Sequence, residues 1–114
     1  MTPAQIRNEA GKKLNIFGEG QTLRSEHSAD LDNAYLEVHA ELQHDGLVTW
    51  ASTASIPVRY EWPIISLVAA SRAVKYNVAT ERYQQILLEE TKGWRVIWKM
   101  SEISKMGSTK IENF

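Results

Sequence analysis

The sequence contains no cysteine, which excludes a disulfide framework, a thiolate metal site and a cysteine nucleophile. It lacks any run near the roughly 18 apolar residues that a membrane-spanning helix needs. The opening "MTPAQIRNEAGKK" has no apolar core of the kind a secretory leader carries. Only three prolines interrupt 114 residues, and charge is nearly balanced at −1. These absences point to a single domain working in a reducing cytoplasm or in an assembly built there, with no membrane partner. What is present, 43% hydrophobic and 24% charged residues, is the composition of an ordinary globular domain.

The balance of charge conceals a division. Residues 1–57 hold four Lys/Arg against eight Asp/Glu, whereas residues 58–114 hold nine against six. Glutamates dilute the basic half, so it forms no cationic run of the kind that grips nucleic acid. Solvated helix faces account for the division. A more specific reading is that the acidic half of one copy meets the basic half of the next, as in a head-to-tail ring.

Four helices are legible, making an all-α fold, a small four-helix bundle. In the first, Thr2 caps, Pro3 takes the first helical position and Gln5 completes a capping box. Ile6, Ala10 and Leu14 form one apolar stripe, with Ile16 and Phe17 folding back over the bundle end. The second helix starts at an N-cap Ser25, carries the stripe Leu31, Ala34, Tyr35, Val38 and Leu42, and stops at Gly46. The third begins near Pro63 and closes at Asn77. The fourth starts at Thr80 and runs, kinked at Gly93, to about residue 102. Between the second and third helices, residues 47–60 either pair as a short β-hairpin or pack as a long loop. The bundle is expected over 1–102, with 103–114 an extended, flexible C-terminal tail.

No compact set of chemical groups emerges. His39 and His44 are five residues apart, about 140° around a helix axis, and so do not share a metal-binding face. Both read as surface histidines. Glu89 and Glu90 point apart, Glu37 and Glu41 lie on an exposed face, and no phosphate-loop or nucleophile-elbow pattern occurs. Neither catalysis, a cofactor nor a metal is expected. Trp50, Trp62, Trp94 and Trp98 serve either the core or contacts with other subunits.

The segment "PIISLVAASRAVKY" poses the sharpest question, because its apolar residues fall on every side of a helix. A helix apolar all round must be covered all round. Three partner helices of this size are expected to fall short, leaving neighbouring copies to finish the cover. The expected subunit interface comprises Ile64, Ile65, Leu67, Val68, Arg72, Trp94 and Trp98.

The order of these signals resembles the tail accessory factors of short-tailed bacteriophages, and more broadly the head-to-tail adaptors of tailed phages. The resemblance rests on the helix exit at Lys13, Leu14, Asn15 and Ile16, and on Asp45, Gly46 and Leu47 closing the second helix. Ala70, Arg72, Val74 and Tyr76 on the third helix complete it; it covers about residues 3–100. It implies a structural virion protein at the head–tail junction, present in the host cytoplasm during assembly. Such proteins form a ring, typically of twelve copies, below the portal protein. The ring extends the channel, helps retain packaged double-stranded DNA without sequence readout, and offers a docking surface to a downstream tail or nozzle protein. By position, Met106, Ile111 and Phe114 would belong to a portal-docking tail. The alternative is a small helical DNA-binding or regulatory protein, disfavoured by net negative charge and by a long connection where a short turn would sit.

Overall fold

The computed structural model describes residues 1–18 and 20–112, with side chains described through residue 102. The described chain is all helical: α1 (Pro3–Lys13), α2 (Ser25–His44), α3 (Glu61–Arg72) and α4 (Thr80–Glu112), with a 3₁₀ turn over Val58–Tyr60. No strand forms among the described residues, so 47–60 is a packed loop and not a hairpin.

Local chemistry accounts for most helix ends. The capping box of α1 is complete: the Gln5 amide N–H donates to Thr2 Oγ1 at 3.2 Å, and the Thr2 N–H donates to Gln5 Oε1 at 2.9 Å. The helix closes through Asn15 at φ 60°, where Ile16 N–H reaches the Gly11 carbonyl at 3.2 Å. Helix α2 ends the same way on Gly46 at φ 71°, with Leu47 N–H bonded to the Leu42 carbonyl at 2.9 Å. These two exits place a left-handed residue just past the last turn and satisfy the orphaned carbonyls. Arg24, rather than Ser25, occupies the N-cap position of α2 and makes no side-chain cap. Asn77 at φ 51° turns the chain between α3 and α4.

Helix α3 is the centre of the molecule. Pro63 through Ala69 are all buried, enclosed by α1, α2 and α4 and by the loop, whose Leu47, Val48 and Ile56 join the same core. The loop is tied down where Ile56 N–H donates to the Met1 carbonyl at 2.7 Å. This corrects the expected need for neighbouring copies. Ile64, Ile65, Leu67 and Val68 are between 0 and 6% exposed within a single chain, so they have no surface to offer a second one. Three partner helices are not the whole cover: the packed 47–60 loop supplies part of the lid through Leu47, Val48 and Ile56.

Helix α4 runs through Gly93 without a break and continues to Glu112, past its expected end near 102. Backbone over 103–112 is therefore helical where a flexible tail is expected. At about 1.5 Å per residue α4 is roughly 50 Å long, nearly the whole 54 Å long axis of the molecule. Gly93 is where α4 crosses the first turn of α3: a Cβ there would sit 3.1 Å from the Pro63 carbonyl oxygen.

Candidate interaction surfaces

Three groupings of side chains stand out, and two of them hold the fold together. The first joins α2 to the end of α3. Arg72 Nε meets Asp30 Oδ1 at 3.2 Å and its Nη1 meets Glu37 Oε2 at 3.1 Å. Tyr76 donates its hydroxyl to Asp30 Oδ2 at 2.7 Å, and Lys75 Nζ lies 2.9 Å from Oδ1. The edge of the Tyr76 ring packs against His27 at 5.1 Å between centroids. Burial pushes the Asp30 carboxyl up, but the hydrogen bonds from Tyr76 and Lys75 and the Arg72 charge outweigh it and hold it below its ordinary value. Burial first, and then the bond to Asp30, pushes the Tyr76 phenol well above its ordinary range. Arg72 is thus engaged inside its own chain, which corrects its expected place in a subunit interface. Its role is to bind α2 to α3 through a half-buried carboxylate.

The second grouping lies under the loop. His39 is buried, 4% exposed, and donates from Nε2 to the Trp50 carbonyl at 2.7 Å, which corrects its expected place on the surface. Trp50 in turn meets the Tyr60 ring edge-on at 4.8 Å. Tyr35 Oη and Trp50 Nε1 are both buried without a hydrogen-bond partner. Burial pushes the Tyr35 phenol up, with the nearby Trp50 N–H opposing it. Beside this cluster Gly46, Leu47, Thr49, Trp50, Pro57, Tyr60 and Ser101 line a cleft of about 240 Å³. It brings together no nucleophile with a base, and no group of three or more metal-ligating side chains occurs among the described residues. No helix among the described residues is long and apolar enough to cross a membrane.

The third grouping is the outer side of α4. Leu88, Lys92, Arg95 and Lys99 recur at i, i+4, i+7 and i+11, placing them on one face. All four are exposed, Leu88 at 60%, and the neighbouring Leu87 and Trp98 are exposed as well. Glu89 is instead held by Lys13 across α1 at 2.5 Å. Burial pushes its carboxyl up, and the bonds from Lys13 and Gln85 more than reverse that. Glu90 turns partly inward, where burial, then the Glu41 charge, raises its carboxyl. Basic charge therefore dominates the open middle of α4.

The tryptophans divide by burial. Trp50 and Trp94 pack against the core, whereas Trp62 and Trp98 are 47% and 44% exposed. Of the expected interface residues only Trp98 keeps substantial free surface, with Trp94 beneath it. Met106, Ile111 and Phe114 lie outside the residues whose side chains are described. The α4 face has a signal in the sequence, the 4-3-4 spacing of Leu88, Lys92, Arg95 and Lys99, which runs beside the apolar stripe that faces the core. The Asp30–Arg72–Tyr76 contact spans more than 40 residues and has no local signal. No family model matches the chain, and neither a curated protein nor a solved structure matches it.

Proposed function

We propose that the chain is a structural virion protein, a head-to-tail adaptor that forms a ring below the portal of a tailed bacteriophage. In this role it extends the DNA channel, helps retain the packaged genome and presents a docking surface to the tail. The observation that carries the reading is α4, a 33-residue helix that continues about 16 Å beyond Ser101, the last buried side chain described. An adaptor needs such a projection from a compact body, because its C-terminal segment must reach the portal while the body contacts its neighbours. The ordered motifs at residues 13–16, 45–47 and 70–76 support it by resemblance. They sit at the α1 and α2 exits and at the end of α3.

Ring formation no longer draws on α3 and rests on the open surface of α4. The test is to mix the chain with the portal protein of the phage that encodes it and image the complex by electron cryo-microscopy. A ring of the chain stacked on the narrow end of the portal is expected. A bare portal at saturating chain, together with tight and salt-steep binding of duplex DNA by the chain alone, would overturn the adaptor in favour of a DNA-binding regulator.

A further inference from the structure

We propose that the cleft beside the 47–60 loop is a binding site for one small neutral ring bearing a hydroxyl, of the phenol kind. This goes beyond the adaptor reading and does not depend on it. Leu47 and Val48 belong to the core and also line the cleft. Trp50 and Tyr60 line it as well, their rings edge-on at 4.8 Å. The volume of about 240 Å³ is that of about eight waters. It admits a single substituted ring and is too small for a drug-sized ligand.

The polar part of the lining is two hydroxyls, of Thr49 and Ser101. Ser101 is only 7% exposed, yet its hydroxyl has no hydrogen-bond partner among the described residues. Other hydroxyls on the helices behave differently. Ser66, Ser71 and Thr91 donate to carbonyls of their own helices at 3.0, 2.7 and 3.1 Å. Ser101 makes no such bond to the Ile97 carbonyl one turn back, and it lines the cleft instead. A buried hydroxyl left unpaired is costly, and a guest hydroxyl satisfies it because each both donates and accepts. The guest is neutral, since no Lys, Arg, His, Asp or Glu lines the cleft and an unpaired charge buried there would be strongly penalised. It is aromatic, since the Trp50 and Tyr60 rings favour a third ring stacked or edge-on over an aliphatic one of equal size.

The test is a titration of the whole chain with p-cresol, followed through the indole N–H signals of its four tryptophans in ¹H–¹⁵N correlation spectra. A Trp50→Phe chain identifies the Trp50 signal. That signal should move saturably with Kd about 1 mM or tighter, while those of Trp62 and Trp98, away from the cleft, stay in place. Ser101→Ala and Thr49→Ala, small changes whose melting temperatures are checked first, should each weaken binding by about fivefold. Cyclohexanol should bind several times more weakly than p-cresol, and benzoate should leave the Trp50 signal unmoved. No movement of that signal at about 10 mM p-cresol, an equal response to benzoate or cyclohexanol, or unchanged affinity in both alanine variants would each overturn the site. A blocked Gly-Tyr-Gly peptide separates the two sources of such a ring. Tighter binding than p-cresol assigns the cleft to a tyrosine of a partner chain, and weaker binding to a free small molecule.

Discussion

Replacing Gly93 by alanine sets two effects of known size against each other. In the middle of a helix, alanine is worth about 1 kcal/mol over glycine, so α4 taken alone should gain. In the folded chain the new methyl would lie 3.1 Å from the Pro63 carbonyl oxygen and 3.3 Å from its Cα. Carbon contacts prefer about 3.5–4.0 Å. Both obstructing atoms are backbone in the first turn of α3, so no side chain can rotate aside, and α3 is itself wedged by Ile64, Leu67 and Val68. Relief requires α4 to move outward by a few tenths of an ångström along a tightly packed contact. Overpacking of this sort costs about 1–3 kcal/mol. The net expectation is a loss of about 1 kcal/mol, read as a drop of about 4–8 °C in Tm by circular dichroism or calorimetry. Gly93→Val should lose more. A Gly93→Ala chain that melts above wild type, by the amount of the helical gain, would refute the close crossing and with it the reason for glycine at this position.

Other outcomes follow from the same contacts. Ile64→Ala should cost about 2–5 kcal/mol, equally in dilute and concentrated solution; a cost seen only where copies associate would put that side chain back in an interface. Tyr35→Phe removes a buried hydroxyl without a partner and should leave urea stability unchanged or raise it by up to about 1 kcal/mol, whereas a clear loss would reveal a partner for Oη. Asp30→Asn should cost about 1–3 kcal/mol at neutral pH, as an acceptor for three donors is weakened. Because the folded Asp30 pKa lies below its ordinary value, that stabilisation is present above pH 4 and fades only as pH falls through the lowered value. A gap between wild type and variant that closes already at pH 6 would contradict it. Glu90→Gln has the opposite sign. The raised Glu90 carboxyl penalises the folded state at neutral pH, so the variant should be more stable there by a few tenths of a kcal/mol. That advantage should vanish below about pH 4, where both states of the wild type are protonated; an advantage constant with pH would point to packing instead.

Ile64, Ile65, Leu67 and Val68 of α3 are covered within their own chain rather than at an interface. A helix with leucine, isoleucine and valine on every side does demand complete cover, and Pro63–Ala69 of α3 have it. The supplier differs. Leu47, Val48 and Ile56 come from a segment without helical or strand period, and they enter the core all the same. Periodicity reveals which residues need burial in regular elements, but an irregular segment can bury side chains while leaving no repeating trace.

Sequence alone was enough for the features that a few adjacent residues decide. The capping box at Thr2–Gln5, the left-handed exit at Gly46, the turn at Asn77 and the stripes of α1 and α2 each follow from local backbone geometry, steric freedom and the 3.6-residue repeat. Tertiary structure decided what depends on distant partners: that α3 is sheltered by its own chain, that His39 is inside and bonded to Trp50, that Arg72 is held by Asp30 and Glu37, and that Gly93 admits the backbone of Pro63. The division has a physical origin. A cap or a turn satisfies itself within one helical turn, whereas the cover of a core helix and the partner of a buried charge are settled only when separate segments arrive at the same place, 11 residues apart for His39 and Trp50 and 42 for Arg72 and Asp30.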